Sequence, residues 1–220
     1  MKAAEILYPN RQRCIFCGRE FVPRSWGICQ ECLEAIDEKD TLQYLRLPLG
    51  EGVAAFAYKD AARDCLVRLK FAGETWRAPL MARWMAYIMG TERPNAVVAV
   101  PIHPLRCIQR MYAQAALLAR YTARYLEIPY ENHALRRVHH SKPLYTVSAE
   151  EHAEAVKGRF AAGRNIADLA GRHVLLVDDV CTTGSTLTEC SRILLDAGVK
   201  RVTCLTFAAV SHDHERGGIF

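Results

Sequence analysis

The sequence predicts an α/β protein, a parallel sheet flanked by helices on both faces, with a small N-terminal cysteine-rich unit in front of it. Two observations lead there. Beyond Gly50, short apolar runs of buried-strand type alternate with helical stretches, the pattern of strands joined by helical crossovers. The residues before it hold two cysteine pairs and many turn formers with little periodicity. Leu47-Pro48-Leu49-Gly50 separates the two regions, so the chain divides into a four-cysteine, zinc-ribbon-like unit over 1–48 and an α/β domain over 49–220.

The elements of the second unit follow in order. Val53 to Tyr58 alternates as a strand. Ala61 to Phe71 is helical behind Asp60 as a cap, and Ala78 to Met89 is helical with Pro79 in its first turn. Val97 to Ile102 is a buried strand. Met111 to Leu126 repeats Ala115, Leu118, Thr122, Tyr125 and Leu126 at helical spacing before Pro129 ends the run. His139 to Glu151 is polar, aperiodic and interrupted by proline, so it reads as a loop suited to covering a site. Val174 to Val177 and Val202 to Val210 are strands. Leu187, Cys190, Ile193, Leu194 and Ala197 mark the helix between them, and Gly198 its left-handed cap.

Composition bounds the function. With 220 residues and 50% hydrophobic content, the chain buries one good-sized core plus a small appendage. No apolar stretch approaches the roughly 20 residues that span a bilayer, and no signal-peptide pattern is present, which predicts a cytoplasmic protein without membrane partners. Of nine cysteines, Cys65, Cys107, Cys181, Cys190 and Cys204 sit singly in apolar or helical patterns, as reduced buried thiols do. Net charge is +5. The stretch holding Arg106, Arg110, Arg120, Arg124, Arg136, Arg137, His139, His140 and Lys142 either attracts phosphate or is a solvated helix face and loop.

Cys14-Ile-Phe-Cys17 and Cys29-Gln-Glu-Cys32 are two C-x2-C pairs with eleven residues between them. Each forms a tight knuckle presenting two thiolates to one tetrahedral ion, which predicts a structural zinc held by Cys14, Cys17, Cys29 and Cys32, with no open position for catalysis. Disulfides and a redox pair are the competing readings. Arg11, Arg13, Arg19, Arg24 and Trp26 around the knuckles are candidates for contact with nucleic acid or protein.

The run Val174-Leu-Leu-Val-Asp178-Asp179-Val-Cys181-Thr182-Thr183-Gly184-Ser185-Thr186-Leu187 is a buried strand, two acids, a Thr/Gly turn and a helix start. Freed backbone amides, the hydroxyls of Thr182, Thr183, Ser185 and Thr186, and a permissive Gly184 make a cup for a phosphate dianion. Acids beside such a cup suit sugar hydroxyls or a magnesium ion, so the pattern points to ribose 5-phosphate. There is neither a G-x4-G-K-[ST] loop nor a G-x-G-x-x-G turn, which sets nucleotide-triphosphatase and dinucleotide readings aside. Cys181 is either a nucleophile lowered by the helix start or a small residue filling a slot.

This run resembles the diphosphate-sugar signature of type I phosphoribosyltransferases, and the whole layout from Cys14 to about Val210 resembles the ComF/GntX family, which pairs a zinc ribbon with that domain. The resemblance extends to Tyr58 with Leu69-Lys70-Phe71-Ala72-Gly73 and to Val97-Val-Ala-Val-Pro101-Ile-His-Pro104. It implies Asp178 and Asp179 on ribose hydroxyls and magnesium, Cys181 to Thr186 around the 5-phosphate, and Pro101, Ile102 and His103 near pyrophosphate. Lys70, Arg106 and Arg110 become auxiliary basic contacts.

Where the family carries an Arg-Gly-Phe-Asn-Gln-like run this chain reads Arg110-Met111-Tyr112-Ala113-Gln114, and where it has a Gln three residues before a Leu-Ser pair and then an Arg and an Asn, this chain has Leu144, Val147-Ser148, His152 and Ala155. Donors that would hold a leaving group or acceptor are thereby lost, while the phosphate half is kept. Two functions follow as expectations. One is binding of phosphoribosyl diphosphate with magnesium, with transfer of phosphoribose to an acceptor and release of pyrophosphate. The other is a non-catalytic adaptor for single-stranded DNA or a DNA-processing protein, since the resemblance implies a competence and DNA-uptake role.

Overall fold

The computed structural model describes residues 12–22, 27–102, 112–138, 156 and 158–210. The described N-terminal part contains a two-stranded ribbon, β1 (Gln12–Arg13) antiparallel to β2 (Glu20–Phe21), and a short helix α1 (Gln30–Glu34). There follow β3 (Thr41–Arg46), β4 (Glu51–Ala57), α2 (Asp60–Phe71), α3 (Ala78–Ile88), β5 (Ala96–Ala99), α4 (Gln114–Leu126), β6 (Leu135–Arg137), β7 (Phe160–Ala162), β8 (His173–Cys181), α5 (Ser185–Asp196) and β9 (Arg201–Ala209).

The main sheet has the order β3-β4-β9-β8-β5. The pairs β4–β9, β9–β8 and β8–β5 are parallel, and only the edge pair β3–β4 is antiparallel. Helices carry each crossover, as the alternating pattern requires. Side-chain alternation divides the strands between two cores. On one face Val97, Leu175, Val177, Leu205 and Phe207 pack with Cys65, Leu66 and Leu69 of α2, Met81 and Met85 of α3, and Leu118 of α4. On the other, Val98, Val174, Leu176, Val202 and Cys204 pack with Leu187, Cys190 and Leu194 of α5 and with Leu135 and Phe160 of the small β6–β7 hairpin.

Three local departures from the expected elements have physical causes. Asp60 is not the cap of α2: Lys59 holds that position and Asp60 starts the helix at φ +43°. The first apolar run of the last domain half is longer than Val174 to Val177, because pairing to β9 continues through the acids, Asp178 opposite Thr206 and Val180 opposite Ala208. The division at 48/49 falls in the turn of the β3–β4 hairpin, with Thr41–Arg46 on its N-terminal side paired into the main sheet. As an edge strand with Leu42 and Tyr44 exposed, β3 lacks the apolar run that marks a buried one.

The cysteine unit shares the main core. Cys14, Ile15, Phe16 and Ile28 are buried in the same cluster as α2 and α3, and the Phe16 ring meets Phe56 edge-on at 5.3 Å. Arg77, 1% exposed, ties the two parts: its guanidinium donates to the Ile15 carbonyl, lies 3.4 Å from that of Phe16, and donates to Glu74 Oε2 at 2.7 Å through Nε.

Candidate functional site

Two side-chain constellations stand out, one at each end of the chain's chemistry. At the N-terminal tip, Gly18, at φ +78°, donates its N–H to the Cys14 carbonyl at 2.9 Å, closing the first knuckle. Leu33 N–H donates to the Cys29 carbonyl at 3.0 Å as α1 begins, closing the second. The four sulfurs of Cys14, Cys17, Cys29 and Cys32 all lie within 4.8 Å of one another, with Cys17 and Cys29 Sγ 3.7 Å apart. A tetrahedral zinc–thiolate site with bonds of about 2.3 Å sets its sulfurs about 3.8 Å apart, so the donors fit such an ion. A disulfide, with sulfurs about 2.05 Å apart, does not match this spacing.

Electrostatics at the tip agree. Burial works against ionising Cys17, but hydrogen bonds from the Arg19 backbone and side chain, with Cys14 and Cys29 thiols nearby, outweigh it and bring the thiol down to about 6. Burial raises Cys29 and Cys32 instead, with the crowded thiols adding to the effect. Thiols packed this closely, once ionised, are stabilised by a divalent cation between them.

The second constellation is at the carboxyl end of β8. Asp179 is 9% exposed, and its Oδ1 meets Lys70 Nζ, from the last turn of α2, at 3.0 Å. Asp178 retains some contact with solvent, and its Oδ1 accepts the Asp179 N–H at 2.8 Å. Enclosure of the Asp178 carboxyl by protein, then the neighbouring Asp179, push it up to about 8, against the opposing pull of the Asp179 amide, Lys70 and Arg137.

The turn that follows is open. Thr182 and Thr183 are exposed, Ser185 and Thr186 are half-buried, and the Thr183 and Ser185 hydroxyls lie 2.9 Å apart. Gly184, in the left-handed region at φ +76°, precedes the first residue of α5 and has no side chain to cap it, while Thr183 Oγ1 accepts the Ser185 N–H at 3.4 Å. A Cβ at Gly184 would lie 2.6 Å from Leu47 Cδ2, so the strand-linking segment closes one side of the turn. Hydroxyls and helix-start amides therefore share one concave turn beside two acids.

Cys181 departs from its expected place in this cup. It is the last residue of β8, 6% exposed within the α5-side core, and burial pushes its thiol up to about 11. That favours the slot-filling reading over the nucleophile. Pro101 and Ile102 follow β5, which neighbours β8, and emerge half-buried at the same sheet edge. His103, Arg106 and Arg110, the loop from His139 to Glu151, and Arg11, Arg24 and Trp26 lie outside the described residues.

Sequence reasoning gave Lys70 no partner, and its acid lies far along the chain. It also missed Arg137, whose guanidinium sits 5.2 Å over the Phe160 ring and whose charge reaches Asp178. The one sequence signal for Arg137 was its membership of a basic stretch, which does not say which member turns inward.

Comparison with known proteins gives this arrangement a class. Residues 112–217 match the family model described as phosphoribosyl transferase domain. Competence protein F of Haemophilus influenzae is 28% identical over 214 residues, covering 86% of this chain and 93% of that protein. DNA utilization protein YhgH of Escherichia coli is 26% identical over the same shares of both. An adenine phosphoribosyltransferase from Thermoanaerobacter pseudethanolicus aligns at 13% identity and a TM-score of 0.42, over 63% of this chain and 83% of that one. Residues 112–217 are thus similar to a phosphoribosyltransferase domain. With the four-cysteine cluster in front of that match, the chain is similar over most of its length to competence protein F and DNA utilization protein YhgH.

Proposed function

We propose that this protein binds the phosphorylated ribose of phosphoribosyl diphosphate, with magnesium, at the carboxyl end of β8. One observation carries the reading: two acids at a strand end are followed by a hydroxyl-rich turn, with Gly184 at positive φ, that opens a helix. Helix-start amides and the hydroxyls of Thr182, Thr183, Ser185 and Thr186 take the 5-phosphate, and Asp178 and Asp179 accept from the ribose hydroxyls. Pro101 and Ile102 stand on the pyrophosphate side, and His103, Arg106 and Arg110, outside the described residues, are the further candidates for it. Magnesium would be held by the acid pair and would supply charge neutralisation to the diphosphate. Transfer of phosphoribose to an acceptor is the catalytic form of this reading, and no residue here is assigned as general base.

The test is calorimetric titration with phosphoribosyl diphosphate and magnesium, repeated with the Asp178→Ala, Asp179→Ala double variant. Binding that the variant loses supports the site; equal binding by both proteins removes it.

A second reading has its own support. The relatives' names, competence protein F and DNA utilization protein, favour a role in DNA uptake, in which the domain serves as an adaptor for single-stranded DNA or a DNA-processing protein. Zinc at the four cysteines is the structural cofactor in both readings, and the buried single thiols Cys65, Cys190 and Cys204 fit a reducing cytoplasm. Pyrophosphate release with a base distinguishes the enzyme; salt-dependent DNA binding without turnover distinguishes the adaptor.

A further inference from the structure

The two parts of the chain meet in a shallow, open concavity of about 450 Å³, away from the acids and turn of β8. One wall is the first knuckle, with Arg13 and Arg19 beside Cys17 and Gly18; the other is the end of α2 and the turn after it, with Arg68, Glu74, Trp76 and Arg77. Four arginines face a single lining acid. That acid is already committed: Glu74 Oε2 is 2.5 Å from Arg77 Nη2, and the Arg77 side chain is only 1% exposed. Arg77 is therefore wall, its charge matched by Glu74 and its donors turned to the knuckle carbonyls.

The remaining three guanidinium groups are available in a way Arg77 is not. Arg13 lies 4.0 Å from Glu20 and Arg68 3.6 Å from Glu74, at side-chain exposures of 58% and 52%. Arg19 pairs with Glu31 on the surface, at 62% exposure, and its side chain also hydrogen-bonds the Cys17 thiol. Exposed pairs of this kind are worth about 0–1 kcal/mol, so their guanidinium groups re-pair readily with a stronger acceptor. Trp76 gives the pocket a firm side, with the guanidinium carbons of Arg77 and Arg13 4.4 and 5.7 Å from its ring centroid.

Convergent forks around one concavity suit a group with several charged oxygens more than a lone carboxylate. We propose that the seam pocket is a second anion site, in which Arg13, Arg19 and Arg68 bind a phosphate group, either of a free polyphosphate or of a nucleic-acid strand. The site depends on the knuckle for two of its three donors, Arg13 and Arg19, and shares no side chain with the β8 site, so it stands whether or not phosphoribosyl diphosphate binds there.

The metal-loaded full chain and its Arg13→Gln, Arg68→Gln double variant are titrated with inorganic pyrophosphate by calorimetry and with a fluorescein-labelled oligothymidylate by anisotropy across a salt series. Melting curves confirm that the exposed substitutions leave folding intact. Loss of about two charge-assisted contacts weakens binding at least tenfold, and for the oligonucleotide flattens the slope of log K against log salt by about 0.7 per contact. Weakening with pyrophosphate alone identifies a free polyphosphate site; weakening with the oligonucleotide identifies the strand. Unchanged affinity for both probes and an unchanged salt slope, or no binding of either by the parent protein, overturns the proposal.

Discussion

Lys70 Nζ lies 3.0 Å from Asp179 Oδ1, with the two side chains 17% and 12% exposed, so the end of α2 supplies a resident counter-charge to the acids of β8. Removing one member of a mostly buried pair leaves the other uncompensated. Lys70→Met is therefore expected to destabilise the fold by about 2 kcal/mol, less than a fully buried pair because some solvent reaches it. Adding Asp179→Asn is expected to recover much of that loss. Urea unfolding of the two single variants and the double one gives the coupling; strictly additive losses would show that the contact carries no energy.

Asp178 makes a prediction of opposite sign. Its carboxyl is pushed from 3.8 up to about 8, first by enclosure in protein and then by Asp179. Between those values the folded chain holds a proton that the unfolded chain has released, so stability falls as pH rises from about 4 to about 8. Asp178→Asn removes this penalty. Without magnesium, the variant's melting temperature is expected to match the parent near pH 4 and exceed it increasingly toward pH 8, while phosphoribosyl diphosphate binding drops. A constant difference across that range would place the acid's ionisation outside the folding balance.

The parts of this molecule that were legible in the sequence are those whose physics is local. The two C-x2-C knuckles bring four sulfurs together through turns only a few residues long, and the acids, Thr/Gly turn and helix start are contiguous, so spacing alone predicts both groupings. The unread parts are long-range. Arg77 reaches the Ile15 carbonyl across 62 positions, Lys70 finds its acid from another element, and Leu47 lies over Gly184 only because β3 joins the sheet. Tertiary placement decides these contacts, and a lone arginine, lysine or leucine carries no mark of its partner. Lys59 in place of Asp60 at the start of α2 is a smaller case, a shift of one residue at a helix end, where boundaries are least marked in sequence.

Gly184 is constrained twice, by a φ of +76° and by Leu47 Cδ2 at 2.6 Å from where a Cβ would stand. Gly184→Ala is expected to lose about 1–2 kcal/mol from the left-handed backbone alone, with a further loss from the contact. Leu47→Ala in the same chain should recover the second part and not the first. Thermal unfolding of the three variants separates the contributions, and a Gly184→Ala protein as stable as the parent would contradict both. Because the turn also forms the proposed phosphate cup, the single variant should bind phosphoribosyl diphosphate more weakly.

Metal and core are coupled through Arg77. The knuckle carbonyls of Ile15 and Phe16 receive its guanidinium, and Phe16 packs on Phe56 in the core shared with α2 and α3. One zinc per chain is expected in protein purified under reducing conditions, and its loss is expected with Cys14→Ser, Cys29→Ser. Chelation should then do more than loosen the tip. By removing the geometry that presents those carbonyls, it leaves a guanidinium 1% exposed with Glu74 alone, a loss of about 1–3 kcal/mol if it stays buried. Hydrogen exchange before and after chelation reads this directly: faster exchange in α2 and α3 as well as in residues 12–34 is the expected pattern. Acceleration confined to 12–34, with the melting temperature of the remainder unchanged, would mean that the tip folds and unfolds independently of the sheet. Arg77→Met should reproduce the spread into α2 and α3 with zinc still bound, because it severs the same connection from the other side.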